Sequence, residues 1–173
     1  TVPNVVAMLK ELTHRGVDAH GVATPTSAAI AKSIEEIAIQ NINSSVALSH
    51  NLSRILSKDR PQPTQGDGFA LVFEGRLFPS TSLPDVDEVM ERLEPNPPRN
   101  AGHVIEELEG SYAFAIACTN QIIAGRDMFG TNPFYCGENE TTCAVASERK
   151  ALWTLVIKNA KSFPPGHTAV VNA

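Results

Sequence analysis

The chain has 173 residues, 42% hydrophobic and 19% charged, the balance of one globular domain with a substantial core. Its net charge of −5 argues against a protein that grips nucleic acid electrostatically. No apolar run reaches the length of a membrane span, and no signal-peptide pattern is visible.

Val5, Leu9 and Leu12 recur at helical spacing, with Val6 widening the stripe, and Lys10, His14 and Arg15 lead into Gly16 as a helix stop. "GVAT" (21–24) follows as a strand, and "AAIAKSIEEIAIQ" (28–40) fits either strands or a short helix. "SSVALSHNLSRIL" (44–56) reads as a strand entering the loop 57–68. "ALVFEGRLF" (70–78) is an apolar strand that ends on Glu74 beside Gly75, the residue type that lets another group approach the backbone closely. Taken alone, that is a strand running out into a turn with a solvated acid at its mouth.

Pro84 and Asp85 start a helix carrying Val86, Val89, Met90 and Leu93. "EPNPPRN" (94–100) reads as a loop, and Val104, Ile105 and Leu108 suggest a second short helix before Gly110. "SYAFAIAC" (111–118) alternates: Tyr112, Phe114, Ile116 and Cys118 on one face, alanines on the other. Such a strand is packed on both sides, which places it inside layers. "QIIAG" and "NPFYCG" read as two strands joined by a tight turn, and "TTCAVA" as another. Ser147 is the expected cap of a helix over 148–157, with Trp153 as core or interface packing. The pattern is α+β, with stacked sheets between helical layers.

Cys118, Cys136 and Cys143 are odd in number and lack metal-ligand spacing, so they read as reduced thiols of a cytoplasmic protein. The five histidines show no ligand spacing, and no metal site is expected. Arg126–Asp127 reads as a turn-stabilising ion pair, and His14 and Arg15 as complements to a helix dipole.

Five stretches carry a resemblance: "LTHRGVDAHGV" (12–22), "LEGSYAFAI" (108–116), "GRDMFGTNPFYCG" (125–137), "ASERKAL" (146–152) and "FPPGHTAVV" (163–171). In this order they resemble the class-II glutamine amidotransferase domain, most closely the N-terminal glutaminase domain of asparagine synthetases. The resemblance covers nearly the whole chain, although Val17 stands where that branch usually has proline. It implies the four-layer αββα sandwich of N-terminal-nucleophile hydrolases, with two mainly antiparallel sheets between helical layers. It also implies chemistry: an N-terminal cysteine attacks the side-chain amide of glutamine, ammonia leaves, and water releases glutamate. An Asn-Gly pair holds the oxyanion, an arginine grips the substrate carboxylate, and an acid helps hold its amino group.

On this chain the resemblance lands unevenly. No cysteine precedes the first helix, and Thr1 has a nucleophile's side chain in the wrong place in the pattern. The expectation is that residues 1–173 form one amidotransferase-like domain, preceded by a cysteine-bearing strand about ten residues upstream and continuing into an ATP-dependent synthetase domain. The Asn-Gly pair falls on Glu74–Gly75. An ionised Glu74 has no donor and would repel an oxyanion; only a protonated one could serve. Arg54 is the best substitute for the carboxylate-gripping arginine, the acid falls on Asp85 or Asp87, and Gln62 sits in "RPQP", which resembles the loop lining the family's pocket.

The function implied is a glutaminase domain that feeds ammonia to a synthetase. The alternative is a degenerate domain that keeps the fold as a scaffold or interaction module. L-glutamine and the synthetase domain are the implied partners, with a homodimer as a further one. No cofactor is implied for this domain, ATP and magnesium belonging to the synthetase.

Overall fold

The computed structural model describes residues 1–37, 43–94 and 96–173. In chain order its elements are α1 (Val2–Glu11), β1 (Ala19–Thr24), β2 (Ser27–Ala31), β3 (Leu48–Leu52), β4 (Thr64–Gln65) and β5 (Ala70–Leu77). Then come α2 (Asp85–Leu93), α3 (Pro97–Glu107), β6 (Gly110–Cys118), β7 (Gln121–Arg126), β8 (Tyr135–Glu138) and β9 (Cys143–Ala146). The chain finishes with α4 (Arg149–Trp153), β10 (Lys161–Ser162) and β11 (Thr168–Asn172).

The alternation in β6 organises the layers. Tyr112, Phe114, Ile116 and Cys118 all lie in one core with Leu71, Phe73 and the inner faces of α2 and α3. Fully burying one such side chain contributes about 2–3 kcal/mol. The alanine face is flat enough for a second sheet layer to close on it. Ala115 and Ala117 meet Ala23, Val46 and Leu48 of the β1–β3 region, and Ala113 meets Phe134 and Phe163 beside β8. The outer faces of that second layer carry α1 on one side and α4 on the other. The result is helix, sheet, sheet, helix, as the alternation and the family resemblance both imply.

One layer is an antiparallel five-stranded sheet, β11-β7-β6-β5-β4. The other comes in two three-stranded pieces, β2-β1-β3 and β10-β8-β9. β3 and β9 are edge strands, and both line one groove of about 580 Å³ whose floor includes Val72, Ala113 and Ala115.

Several local expectations are corrected. β5 does not end at Glu74 but stays paired with β6 through Leu77, with Gly75 opposite Tyr112. Gly16 is extended (φ −178°) rather than left-handed; a side chain there would overlap the Leu52 backbone, so glycine is needed for close approach. The loop expected over 94–100 gives way to α3 at Pro97, because prolines in a first turn lack only N–H groups that would go unbonded there, and the Asn96 side chain caps Arg99 N at 3.2 Å. "QIIAG" and "NPFYCG" are not a hairpin, since β7 and β8 belong to different layers. Residues 28–31 are strand and Ile34–Glu36 a single 3-10 turn, while 38–40 of that stretch lie outside the described residues. Ser147 caps nothing: α4 begins after Glu148 and spans 5 residues. Trp153 is 58% exposed and so is not core.

Arg126 and Asp127 do not pair with each other. Arg126 donates to the carbonyls of Gly130, Asn132 and Phe163 and to Ser162 Oγ. Asp127 accepts from the N–H groups of Tyr112, Phe129 and Thr131. Both carry the crossing from one sheet layer to the other, a stabilising role through the backbone.

Two predictions arise here. Val156 holds φ +61° after α4, a conformation that costs a β-branched residue about 1–2 kcal/mol. Its side chain is 67% exposed, so Val156→Gly should raise the denaturation midpoint, by an amount worth up to about 1 kcal/mol; a lower midpoint would show that the valine makes contacts worth more than the strain. All three cysteines are free, with Cys118 buried and Cys143 exposed. Native alkylation followed by mass spectrometry should therefore label Cys143 well before Cys118, and a disulfide between the two would contradict the reading.

Candidate functional site

Gly75 lies on a strand edge that nothing in the ladder covers. Beyond Thr64–Gln65, β4 gives β5 no partner, and the Gln62 side chain takes over that edge. Its Nε2 donates to Phe73 O at 3.0 Å and its Oε1 accepts from Phe73 N at 2.7 Å. Two residues on, strand alternation turns Gly75 the same way. Its partner Tyr112 directs both backbone groups to Asp127 on the far side, so the Gly75 N–H faces the free edge. Gly75 has φ +141°, and a Cβ there would overlap Ser111 O, so only glycine fits.

This edge lines a cleft of about 260 Å³ whose walls include His50, Asp59, Arg60, Glu74 and Asp85. The expected site residues Gln62, Glu74, Gly75 and Asp85 all come together there. Asp87 lies outside the lining and pairs with Arg60 at 2.9 Å. Arg54 also lies outside: β3 stops at Leu52, and Arg54 is exposed with its backbone N–H on Asp18 Oδ2 at 2.7 Å.

Glu74 stands at the junction of cleft and groove, lining both. Its Oε2 is 3.4 Å from His50 Nε2 and its Oε1 is 3.6 Å from Arg15 Nη2. Burial pushes the Glu74 carboxyl up, but the hydrogen bond and charge of His50, with the charges of Arg15 and Arg76, outweigh it and hold it below its ordinary value of 4.5. Glu74 is therefore ionised at neutral pH and cannot donate a hydrogen bond. Arg15 also reaches Glu148 at 3.5 Å, and His14 meets Glu148 at 2.7 Å, so the pair after α1 ties that turn to α4 instead of only facing a helix dipole.

The far wall, with Asp59, Arg60, Arg76 and Asp85, is backed by an interlock of charges. Lys58 Nζ donates to Asp85 Oδ1 at 2.8 Å, Arg60 pairs with Asp87, and Arg76 Nη2 meets Asp59 Oδ2 at 2.8 Å. His50, Asp59, Arg60 and Arg76 line the cleft without having been assigned from the sequence, and Arg15, read there as a complement to a helix dipole, reaches Glu74. The alternating charges of Lys58-Asp59-Arg60 against Asp85 and Asp87 are the signal that points to the interlock. Among the described residues, no group of three or more His, Cys, Asp or Glu side chains is arranged to hold a metal ion.

Asp59, Asp127 and Glu148, like Glu74, are held below their ordinary values: burial opposes ionisation, but backbone hydrogen bonds to Asp59 and Asp127 and the His14 and Arg15 contacts to Glu148 outweigh it. Carboxyls with lowered folded pKa values contribute stability above their unfolded values, and that stability is lost as pH falls through the folded ones. Urea midpoints should thus drop between about pH 5 and about pH 2, and Asp127→Asn should shrink the drop. An equal drop in the variant would remove Asp127 from the explanation.

Residues 82–154 match the family model described as a glutamine amidotransferase domain. A Methanocaldococcus jannaschii protein named provisionally as a glutamine-hydrolyzing asparagine synthetase is 28% identical over 164 residues, covering 88% of this chain and 30% of that protein. The solved structure of glutamine phosphoribosylpyrophosphate amidotransferase from B. subtilis, complexed with ADP and GMP, superposes with a TM-score of 0.81 at 20% identity. It covers 98% of this chain and 44% of that one. Nearly the whole chain thus shares the fold of this amidotransferase, and residues 82–154 carry the match to the glutamine amidotransferase domain. A class-II glutamine aminotransferase domain protein from silicibacter pomeroyi is a more distant likeness, with a TM-score of 0.57 at 14% identity over 90% of this chain and 88% of that one. The chain spans less than a third of the curated relative's length and less than half of the B. subtilis enzyme's. No described helix is long and apolar enough to cross a membrane.

Proposed function

We propose that the cleft beside Gly75 binds glutamine and that the domain hydrolyses its side-chain amide slowly, releasing ammonia for a synthetase domain of the same longer protein. The observation that carries this reading is the Gly75 N–H on an uncovered strand edge, a preorganised donor for charge developing on an amide oxygen. Glu74 beside it is an anion where a second donor would be needed, which favours slow turnover over fast.

The groove between the edges of β3 and β9 supports the rest of the proposal. Two open edges above an apolar floor are the setting for one added strand, which would satisfy both rows of unpaired backbone groups. A cysteine-bearing strand seated there would bring its thiol to the Glu74–Gly75 end of the cleft. A specific observation favours the scaffold reading as well: the cleft's carboxylates are already paired internally.

Glutamate release from L-glutamine by the full-length protein tests the first reading. Slow release that stops when the nucleophilic cysteine is changed to alanine is expected. Complete absence of release, in the unchanged protein and in its Glu74→Asn variant alike, would leave the scaffold reading standing.

A further inference from the structure

An amino acid carries its ammonium and its carboxylate on one carbon, so a cleft that takes one needs an open acceptor and an open cation side by side. Most cations around the cleft are engaged. Arg76 donates from Nη2 to Asp59 Oδ2 at 2.8 Å and from Nη1 to Gly75 O at 3.0 Å. His50 and Arg15 face the Glu74 carboxylate. Lys58, behind the wall, spends its three N–H donors on Asp85 Oδ1, Ser80 Oγ and Thr81 O.

Arg60 is the exception. It enters from the loop ahead of β4 and lines the cleft. Among the described residues it bonds only Asp87, through Nη1 alone, at 2.9 Å from Oδ1 and 3.0 Å from Oδ2. The Nη2 and Nε donors are left over, and that edge of a guanidinium is a planar fork matched to a carboxylate. The side chain is 44% exposed, so a ligand can reach it. Asp87 ties Arg60 to the first turn of α2, the turn that also carries Asp85. Asp85 lines the cleft too, and its Oδ2 has no hydrogen bond, Arg76 Nη1 lying 3.5 Å away. The pairs Lys58–Asp85 and Arg60–Asp87 are neighbours in the interlock, which sets the open acceptor beside the open cation.

We propose, resting on the glutamine-cleft reading, that Arg60 takes the α-carboxylate of the ligand through its Nη2–Nε edge, with Asp87 as the residue that positions the guanidinium. The cleft then selects free amino acids. A glutamine whose carboxylate is tied up in an amide, as inside a peptide chain, offers Arg60 no charge.

Calorimetric titration of the full-length protein with L-glutamine and with L-glutaminamide, in which an uncharged amide replaces the carboxylate, tests this. The unchanged protein should prefer L-glutamine by roughly ten- to a hundredfold. Arg60→Met should abolish that preference by weakening L-glutamine and leaving L-glutaminamide nearly unchanged, which a merely structural role for Arg60 would not do. Arg60→Lys keeps the charge without the fork and should retain part of the preference. A preference that survives Arg60→Met, or an equal loss for both ligands, would overturn the inference and leave the glutamine cleft intact. Binding of neither compound by the unchanged protein would remove the glutamine-cleft reading, and this inference with it.

Discussion

Glu74→Asn is expected to raise glutamate release by the cysteine-bearing protein by about an order of magnitude or more. Removing one oxyanion-hole donor typically costs a hundred- to a thousandfold in rate, about 3–4 kcal/mol of transition-state stabilisation. Glu74 goes further than a missing donor, because its carboxylate is ionised at neutral pH and adds repulsion where negative charge develops. His50 and Arg15 neutralise part of that charge, so the gain should fall short of the full range. Asparagine in its place supplies an N–H beside that of Gly75. A Glu74→Asn variant slower than the unchanged protein would make the glutamate a working part of the site, with His50 as the partner it holds.

Lys58→Met should be the most destabilising single change in the charge interlock behind the cleft, by about 3–5 kcal/mol. The substitution keeps an apolar stem of similar length but leaves Asp85 as a buried carboxylate without its principal counter-charge. Arg76, 3.5 Å from Asp85 Oδ2, softens the loss, which places the expected value toward the lower end. The double variant with Asp85→Asn should recover a good part of it, since replacing both members of a buried pair costs far less than removing one. Urea denaturation of the two variants measures this directly. Equal losses in the single and double variants would show that Lys58 matters for packing and not for its charge.

Much of the fold was legible because side-chain size along β6 is itself a layer map. A strand with Tyr112 and Phe114 on one face and alanines on the other has few places to sit except between two packed layers. The stop and start signals were less legible. Gly16 reads as a helix stop, yet its glycine serves contact with Leu52 across the fold, which local sequence does not encode. Strand "NPFYCG" reads as the second arm of a hairpin because sequence proximity favours local pairing, while Arg126 and Asp127 spend their hydrogen bonds on a crossover.

In the candidate site, the grouping of Gln62, Glu74, Gly75 and Asp85 followed from the family resemblance, and the structure places all four in one cleft. Arg54 did not join them because β3 ends two residues earlier, so no strand alternation aims its side chain at the cleft. Asp85 and Asp87 could not be told apart in sequence, since they lie two residues apart at the start of a helix. Their difference is tertiary: Lys58 and Arg76 bury one, and Arg60 at the cleft mouth takes the other.

An amide ligand in the cleft should meet the Gly75 N–H. The direct measurement is the backbone amide spectrum of the isotope-labelled full-length protein, titrated with L-glutamine. The Gly75 amide resonance should move downfield and saturate together with that of Arg60. Saturable shifts confined to other parts of the molecule, with Gly75 unmoved, would contradict it.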